Sequence, residues 1–567
     1  MKKSVILCFC NVVLSLVLTL ACIQAVPVQA SPLQSKTITG VITSGTDGFP
    51  LIGVSVQVQE NSTGSITDLD GRYSVQASEG QTLVFSYIGF KSQTIKIGTS
   101  SIINVVLIED NEMLDEVVVV GYGVQKKKLV TGATVQVKGD KIAELNTTNP
   151  LQAMQGQTPG VNITSISGQP GESLKVSIRG LGTIGNAEPL YLIDGVRGDI
   201  SNLNPADIES IDILKDAASA AIYGAQAANG VVLVTTKNGK EGKAVVSFDG
   251  YFGVQNVAKE VNLLNTEQYM MIMDESHRNS TGSGYNWSGY KSIYDADWLD
   301  KMFEDNAQMQ SYTLGITGGS TVSQYAISLG YMSQEGIVGG KDVSNFSRYN
   351  FRINSEHKLF KNLLKVGEQV SFVYRDKTGV GVGGQYDNSL RGAYEIAPFV
   401  PIYSDNNIYD MPYNDTSNSD WNQESGNPYG LMMMRHNQNK NVFFSGNAYA
   451  ELQPIKNLKI RTVFGANYST NEYRNFNPIY QFGSTSRNTN TSVTQNMQHV
   501  LELTWTNTAT YDWKVNDHAF NALIGMESYQ YNGTYLSGSN SSLKEGFDDW
   551  EHAYISNGTA SSTASGL

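Results

Sequence analysis

At 567 residues the chain is long enough for several domains. Its 53 acidic against 40 basic residues give a net charge of −13, which argues against a nucleic-acid partner, since such proteins need basic patches. Charged residues make up only 16%, below the roughly 25% of ordinary soluble proteins, while 30 Tyr and 55 Gly against 14 Pro favour β structure with much polar surface.

The first segment has the layout of a signal peptide. Lys2 and Lys3 precede an apolar run from Val5 to Ile23, and "VQA" at 28–30 places small residues where cleavage would follow Ala30. Cys22 in "LTLAC" does not make a lipidation site, because Thr19 stands where Leu is wanted. All three cysteines, Cys8, Cys10 and Cys22, lie within residues 1–30, so a mature chain would hold neither disulfides nor thiolate metal sites. No later stretch approaches the roughly 18–20 apolar residues of a membrane helix. A membrane location would therefore require a β-barrel.

Residues 36–110 read as a small β-sandwich. Val54, Val56 and Val58 alternate with Ser55, Gln57 and Gln59, the pattern of a half-buried strand. Asp47-Gly48 and Asp70-Gly71 are hairpin-type turns, and about seven short strands fit the segment. "TDLDG" at 67–71 lacks the ligand series and closing Glu of a calcium loop and reads as a turn. The run from "GVITSGTDGFPL" to "DGRYSV" resembles the carboxypeptidase-regulatory-like domain, which implies a fold and no enzyme activity.

Next comes "DEVVVVGYG", residues 115–123, then a glycine-rich α+β segment at 124–238. Asn149 is placed as an N-cap with Pro150 at the first helical position. Ile208, Ile211 and Ile213 fit a buried strand, and "VVLVTT" is a second one after the small-residue run "ASAAIYGAQAANG". The motifs "IRG" at 178–180, "PLYLIDGV" at 189–196, "IESIDILKDAASAAIYG" at 208–224 and "ANGVVLVTTKNG" at 228–239 together resemble the plug domain of TonB-dependent transporters of the SusC/RagA family. One departure is "AQAANG", where the family more often has an Arg-Gly pair.

From residue 243 to 567 the sequence alternates apolar with small polar residues. Tyr312, Leu314 and Ile316 share one face, as do Tyr325, Ile327, Leu329 and Tyr331, and again Leu501, Leu503, Trp505, Ala509 and Tyr511. Such segments describe transmembrane strands with a lipid face and a lumen face. Roughly nine are expected, near 243–255, 308–318, 321–333, 345–356, 363–375, 441–453, 457–470, 498–512 and 517–536. The long polar connections 256–307 and 376–440 are expected as extracellular loops. Since barrels that hold a plug have about 22 strands, and open edges are not tolerated in lipid, the segment is expected to be the first part of a larger barrel. The fold class is thus mainly β: a sandwich, an α+β plug and an incomplete antiparallel transmembrane barrel.

No catalytic constellation stands out. His499 and Glu502 have a zinc-type spacing, but on an alternating strand they point to opposite sides. "GVGVGG" at 379–384 has no βαβ unit around it and reads as a loop. No cofactor or metal is expected. Tyr409, Tyr413, Trp421 and Tyr429 lie among aspartates in 403–435 and are candidates for stacking sugars, although a hydrated surface loop accounts for them as well.

The resemblance implies that Asp115, Glu116, Val117, Val118, Val119, Val120, Gly121, Tyr122 and Gly123 form a TonB box, which works by strand addition to its partner. It further implies TonB with ExbB and ExbD, a SusD-like surface lipoprotein, outer-membrane lipid and an oligosaccharide or peptide cargo. On this reading the protein is not an enzyme but an importer in the outer membrane of a Gram-negative bacterium. A secreted or surface-attached glycan-binding adhesin is the main rival. A transporter that also signals is less favoured, because no further signalling domain precedes the box.

Overall fold

The computed structural model describes residues 35–566, apart from 46–47, 61–62, 88–89, 109–116, 121–122, 127–133, 146, 288–294, 385–387, 404–425, 483–485, 517 and 560–561. The proposed signal peptide lies outside the described residues. The chain divides into two compact units, of which the first is the sandwich.

Its strands are β1 (Lys36–Ser44), β2 (Ser55–Val58), β3 (Gly64–Ile66), β4 (Arg72–Ala77), β5 (Thr82–Ser86), β6 (Gln93–Lys96) and β7 (Val105–Leu107). They form two sheets, β4-β1-β7 and β3-β2-β5-β6. Alternation decides the interior: Tyr73, Val75 and Ala77 of β4 face Val56, Val58, Leu83 and Phe85, all buried. Each large apolar side chain contributes about 1.5–3 kcal/mol on burial. At the 67–71 turn, Asp68 accepts hydrogen bonds from the backbone N–H groups of Asp70 and Arg72. Gly71 sits there at φ 70°, where a Cβ would meet the Ile42 carbonyl at 2.7 Å.

Between the sandwich and the plug, β8 (Val117–Val120) and β9 (Gly123–Lys126) pair with each other as a two-stranded sheet. The valine run is extended, as β-branched residues favour. Asp115, Glu116, Gly121 and Tyr122 lie outside the described residues.

The plug comprises β10 (Thr134–Lys138), β11 (Val161–Ser165), β12 (Leu174–Ile178), β13 (Leu190–Ile193), β14 (Val196–Arg197), β15 (Ile208–Leu214) and β16 (Val231–Thr236). Five of these make one sheet, ordered β10-β15-β16-β13-β14, and β11-β12 is a separate hairpin. Ile208, Ile211 and Ile213 of β15 have no exposure and pack with Val232 and Val234 of β16. Asn149 caps the helix Pro150–Met154, its side chain accepting from Leu151 N–H. Asp194 and Gly195 take φ of 50° and 86°, the paired positive values that turn β13 back into β14.

The last sheet has ten strands: β17 (Gly242–Gln255), β18 (Ala307–Gly319), β19 (Ser323–Glu335), β20 (Asn345–Leu359), β21 (Leu364–Thr378), β22 (His436–Ile455), β23 (Leu458–Asn477), β26 (Ser492–Val515), β27 (His518–Ser541) and β28 (Thr563–Gly566), with β24 (Tyr480–Gln481) and β25 (Arg487–Asn488) forming a small hairpin beside it. The nine alternating segments of the sequence all become long strands of this sheet, paired antiparallel in chain order. Several run further than their apolar pattern, up to 24 residues, because their outer ends continue as polar sheet.

Register puts like faces together. Tyr312 pairs with Tyr331, Leu314 with Leu329 and Ile316 with Ile327. The rings of Phe248, Tyr312, Tyr331, Tyr349 and Tyr374 follow one another across five strands on that face. A second aromatic group, Tyr511, Trp513 and Phe520, lies towards the tight-turn end. On β26, Leu501 pairs with Tyr468 on the outward face, and Tyr511 follows ten residues later. That is roughly 33 Å along a strand and about 25 Å at the usual barrel tilt, the height of an outward apolar band.

The two long connections, expected as extracellular loops, carry among their described residues the helices Thr266–Thr281, Trp298–Met302, Arg391–Glu395 and Pro428–Met434 around a core of Trp298, Leu299, Met302, Ile396, Phe399 and Met432. Their apolar residues are too widely spaced in sequence to show a period. They meet only when both connections fold together at the end of the sheet opposite the tight turns.

Candidate functional site

The polar face of the sheet carries the plug. On β20, Arg348, Asn350, Arg352 and Asn354 all point to that face and are buried. Arg348 donates to the Thr148 and Ser201 carbonyls at 3.1 and 3.0 Å, and Asn350 to the Asn202 carbonyl at 2.8 Å. Arg352 pairs with Asp194 and donates to the Thr236 hydroxyl. Asn354 donates to that hydroxyl at 3.0 Å and to the Lys237 carbonyl at 2.8 Å. The positive φ of Asp194 is what aims its carboxylate, which also accepts from Thr236 N–H at 2.9 Å.

The seam continues on other strands. Asn204 of the plug donates to Thr313 at 2.8 Å, Asn467 of β23 donates to the Arg197 carbonyl at 2.6 Å, and the Arg197 guanidinium lies 4.1 Å from the Tyr529 ring. Glycines allow the approach at several points, Gly465 and Gly171 among them. A Cβ on Gly465 would stand 2.7 Å from Val196, and one on Gly171, at φ 65°, would overlap the Phe346 ring.

Two plug carboxylates at the seam titrate in opposite senses. Burial pushes Asp207 above the ordinary carboxylate range, only partly offset by Ser328 and by the charges of Arg352, Lys237 and Arg348. Burial would also raise Glu172, but Lys377, at 2.8 Å, together with Gln169 and the Ser173 backbone, brings it net below that range.

Beyond this seam, at the end with the long connections, lies a cavity of about 830 Å³. Gly379–Gly383 form one side, so the "GVGVGG" stretch is a loop that lines a cavity. Val380 N–H donates to Gln169 Oε1 of the plug at 2.7 Å, which ties cavity and plug together.

Of the aromatic candidates, Tyr409, Tyr413 and Trp421 lie outside the described residues. Tyr429 stands on the helix Pro428–Met434, edge-on to Tyr403 at 6.1 Å, with Lys301 Nζ 5.1 Å from both rings. Its ring thus packs with the helical cluster. His499 and Glu502 do face opposite ways: His499 lies against Tyr468, and Glu502 accepts from Tyr529 on the lumen side. Among the described residues no group of three or more His, Cys, Asp or Glu could hold a metal ion. Sequence reading missed Arg348, Arg352, Lys377, Gln169 and Glu172. The one available signal was a run of charged and amide residues at alternate positions on β20.

Residues 126–231 match the TonB-dependent Receptor Plug Domain, and 38–119 match the CarboxypepD_reg-like domain. The TonB-dependent receptor SusC of Bacteroides thetaiotaomicron is 30% identical over 531 residues, 88% of this chain and 50% of that protein. TonB-dependent receptor P26 of Formosa agariphila is 34% identical over 455 residues, 79% of this chain and 44% of that one. The chain spans about half the length of the curated relatives it matches. Among solved structures, the RagAB peptide importer in its "open-open" state is similar with a TM-score of 0.66 and 25% identity, over 80% of this chain and 53% of that one.

Proposed function

We infer, from a chain that belongs to the SusC/RagA-type TonB-dependent receptors, that the protein imports a nutrient across the outer membrane of a Gram-negative bacterium, energised by TonB with ExbB and ExbD. The observation that carries this reading is a folded plug held to the lumen face of a membrane sheet by a buried set of hydrogen bonds and ion pairs. Such a seam holds in the resting state and can be re-solvated when the plug moves.

Residues Asp115 to Gly123 act as the TonB box. The valines of β8 exchange their pairing with β9 for a strand of TonB, which conserves main-chain hydrogen bonds in number. The name of RagAB as a peptide importer and the likeness to SusC support a nutrient cargo, oligosaccharide or peptide, and work alongside a SusD-like lipoprotein.

The test is growth on glycan or peptide mixtures as sole carbon source, with the whole receptor in its native membrane. Deleting Val117–Val120 should abolish uptake while cargo capture at the cell surface persists. A cysteine pair bridging Asn204 and Thr313 should stop uptake until reduced. Uptake that continues without TonB, or with the plug locked, would sink this reading.

A further inference from the structure

The chain has a net charge of −13, yet its cavity and the wall below it carry cations. Among the described residues the cavity is lined by Arg391, Arg435 and Arg487 against one carboxylate, Glu395, which pairs with Arg391 at 2.7 Å. Arg435 meets only the Tyr480 hydroxyl, at 3.2 Å, and neither it nor Arg487 has a carboxylate partner among the described residues. The rest of the lining is rich in amides and hydroxyls, including Asn437, Asn475, Asn477 and Tyr473.

Below the cavity the cations continue down the lumen face. Lys377 is two residues from Gly379 at the cavity wall, Arg375 follows two residues further in, and Arg348 stands directly opposite Arg375 across the β20–β21 ladder. Like charges so placed repel. The plug supplies the counter-charge: Glu172 on Lys377, Asp194 on Arg352, and Asp199 and Asp207 within electrostatic reach of Arg348. Plug carboxylates therefore sit where an anionic cargo would have to bind.

We propose, resting on the import reading above, that the cargo is an acidic oligosaccharide whose carboxylate or sulfate groups are taken by Arg435 and Arg487 and then by Lys377, in exchange for Glu172. The exchange couples binding to the plug. Glu172 accepts from Gln169 Nε2, and Gln169 Oε1 holds Val380 of the cavity wall, so freeing Glu172 loosens the same turn that fastens plug to cavity. The lining favours a sugar over a peptide. Planar guanidinium and amide groups suit acid and hydroxyl recognition.

The test uses the whole receptor, purified in detergent, with tetragalacturonate, maltotetraose and tetraglutamate as calorimetric probes. Tetragalacturonate should bind at least tenfold tighter than maltotetraose, and weaken as salt rises. Arg435→Gln with Arg487→Gln should cost at least tenfold for tetragalacturonate and little for maltotetraose. Glu172→Gln should strengthen binding severalfold, since it removes the internal competitor, and a merely structural ion pair would not give that sign. Equal affinity for the neutral sugar, preference for tetraglutamate, or indifference to the arginine changes would overturn the proposal. If TonB-dependent uptake of another nutrient persists in that case, the import reading stands and only the cargo class falls.

Discussion

The plug is held together and held in place by different chemistry. Its own core is apolar, with Ile208, Ile211, Ile213, Val232 and Val234 at or near zero exposure. Its contact with the wall is as deeply buried but is made by Arg348, Asn350, Arg352 and Asn354 against carboxylates, hydroxyls and backbone carbonyls. Apolar burial is lost outright when surfaces part in water, whereas polar groups regain hydrogen bonds to water. A core built one way and a seam built the other give a domain that can move as a unit.

The comparison breaks most sharply at Arg352. Arg352→Ala leaves Asp194 buried without its cation, and should weaken plug seating by about 3–5 kcal/mol. Protease sensitivity of the plug–wall contact would report it. Adding Asp194→Leu to Arg352→Met should recover most of the loss, since two apolar groups replace the pair. Ile211→Ala should cost about 2–5 kcal/mol, but within the plug itself. Hydrogen exchange separates the two: β15 and β16 amides should lose protection in Ile211→Ala and keep it in Arg352→Ala.

Acidity sharpens the contrast within the seam. Glu172 is held below its ordinary value, so its contribution is complete above about pH 4.3 and is lost as pH falls through the lower folded value. Asp207 is raised by burial, so its contribution is complete below about pH 3.9 and is lost as pH rises through the raised value. Melting profiles against pH should therefore lose part of their decline on acidification in Glu172→Gln, and part of their decline as pH rises above the ordinary carboxylate range in Asp207→Asn. The smallest effect is expected from Asn350→Ala, about 0.5–1.5 kcal/mol for one hydrogen bond to the Asn202 carbonyl. A loss as large as that of Arg352→Ala would mean that the seam is not a sum of separable bonds.

Much of this architecture was legible in the chain. Period-2 alternation placed nine strands and assigned the aromatic face, because a strand has only two sides and lipid accepts only one kind of residue. Turn glycines, the Asn149 cap and the β-branched runs at Val117–Val120 and Val231–Val234 are local chemistry and need no tertiary partner. What alternation could not say is what the other side faces. Lumen residues use the same polar alphabet whether they meet water or a plug. Arg352 and Asp194 are 158 residues apart, and Lys377 and Glu172 are 205 apart. Only the packing of the plug against the lumen face of the sheet brings such pairs within reach, and only there does burial turn an ordinary charge into one that must be answered. The helical core of the two long connections was hidden for the same reason, since Trp298 and Phe399 find each other through space and not through any period. The sequence by itself determined which elements form and which way they face; the tertiary structure decided what each face meets.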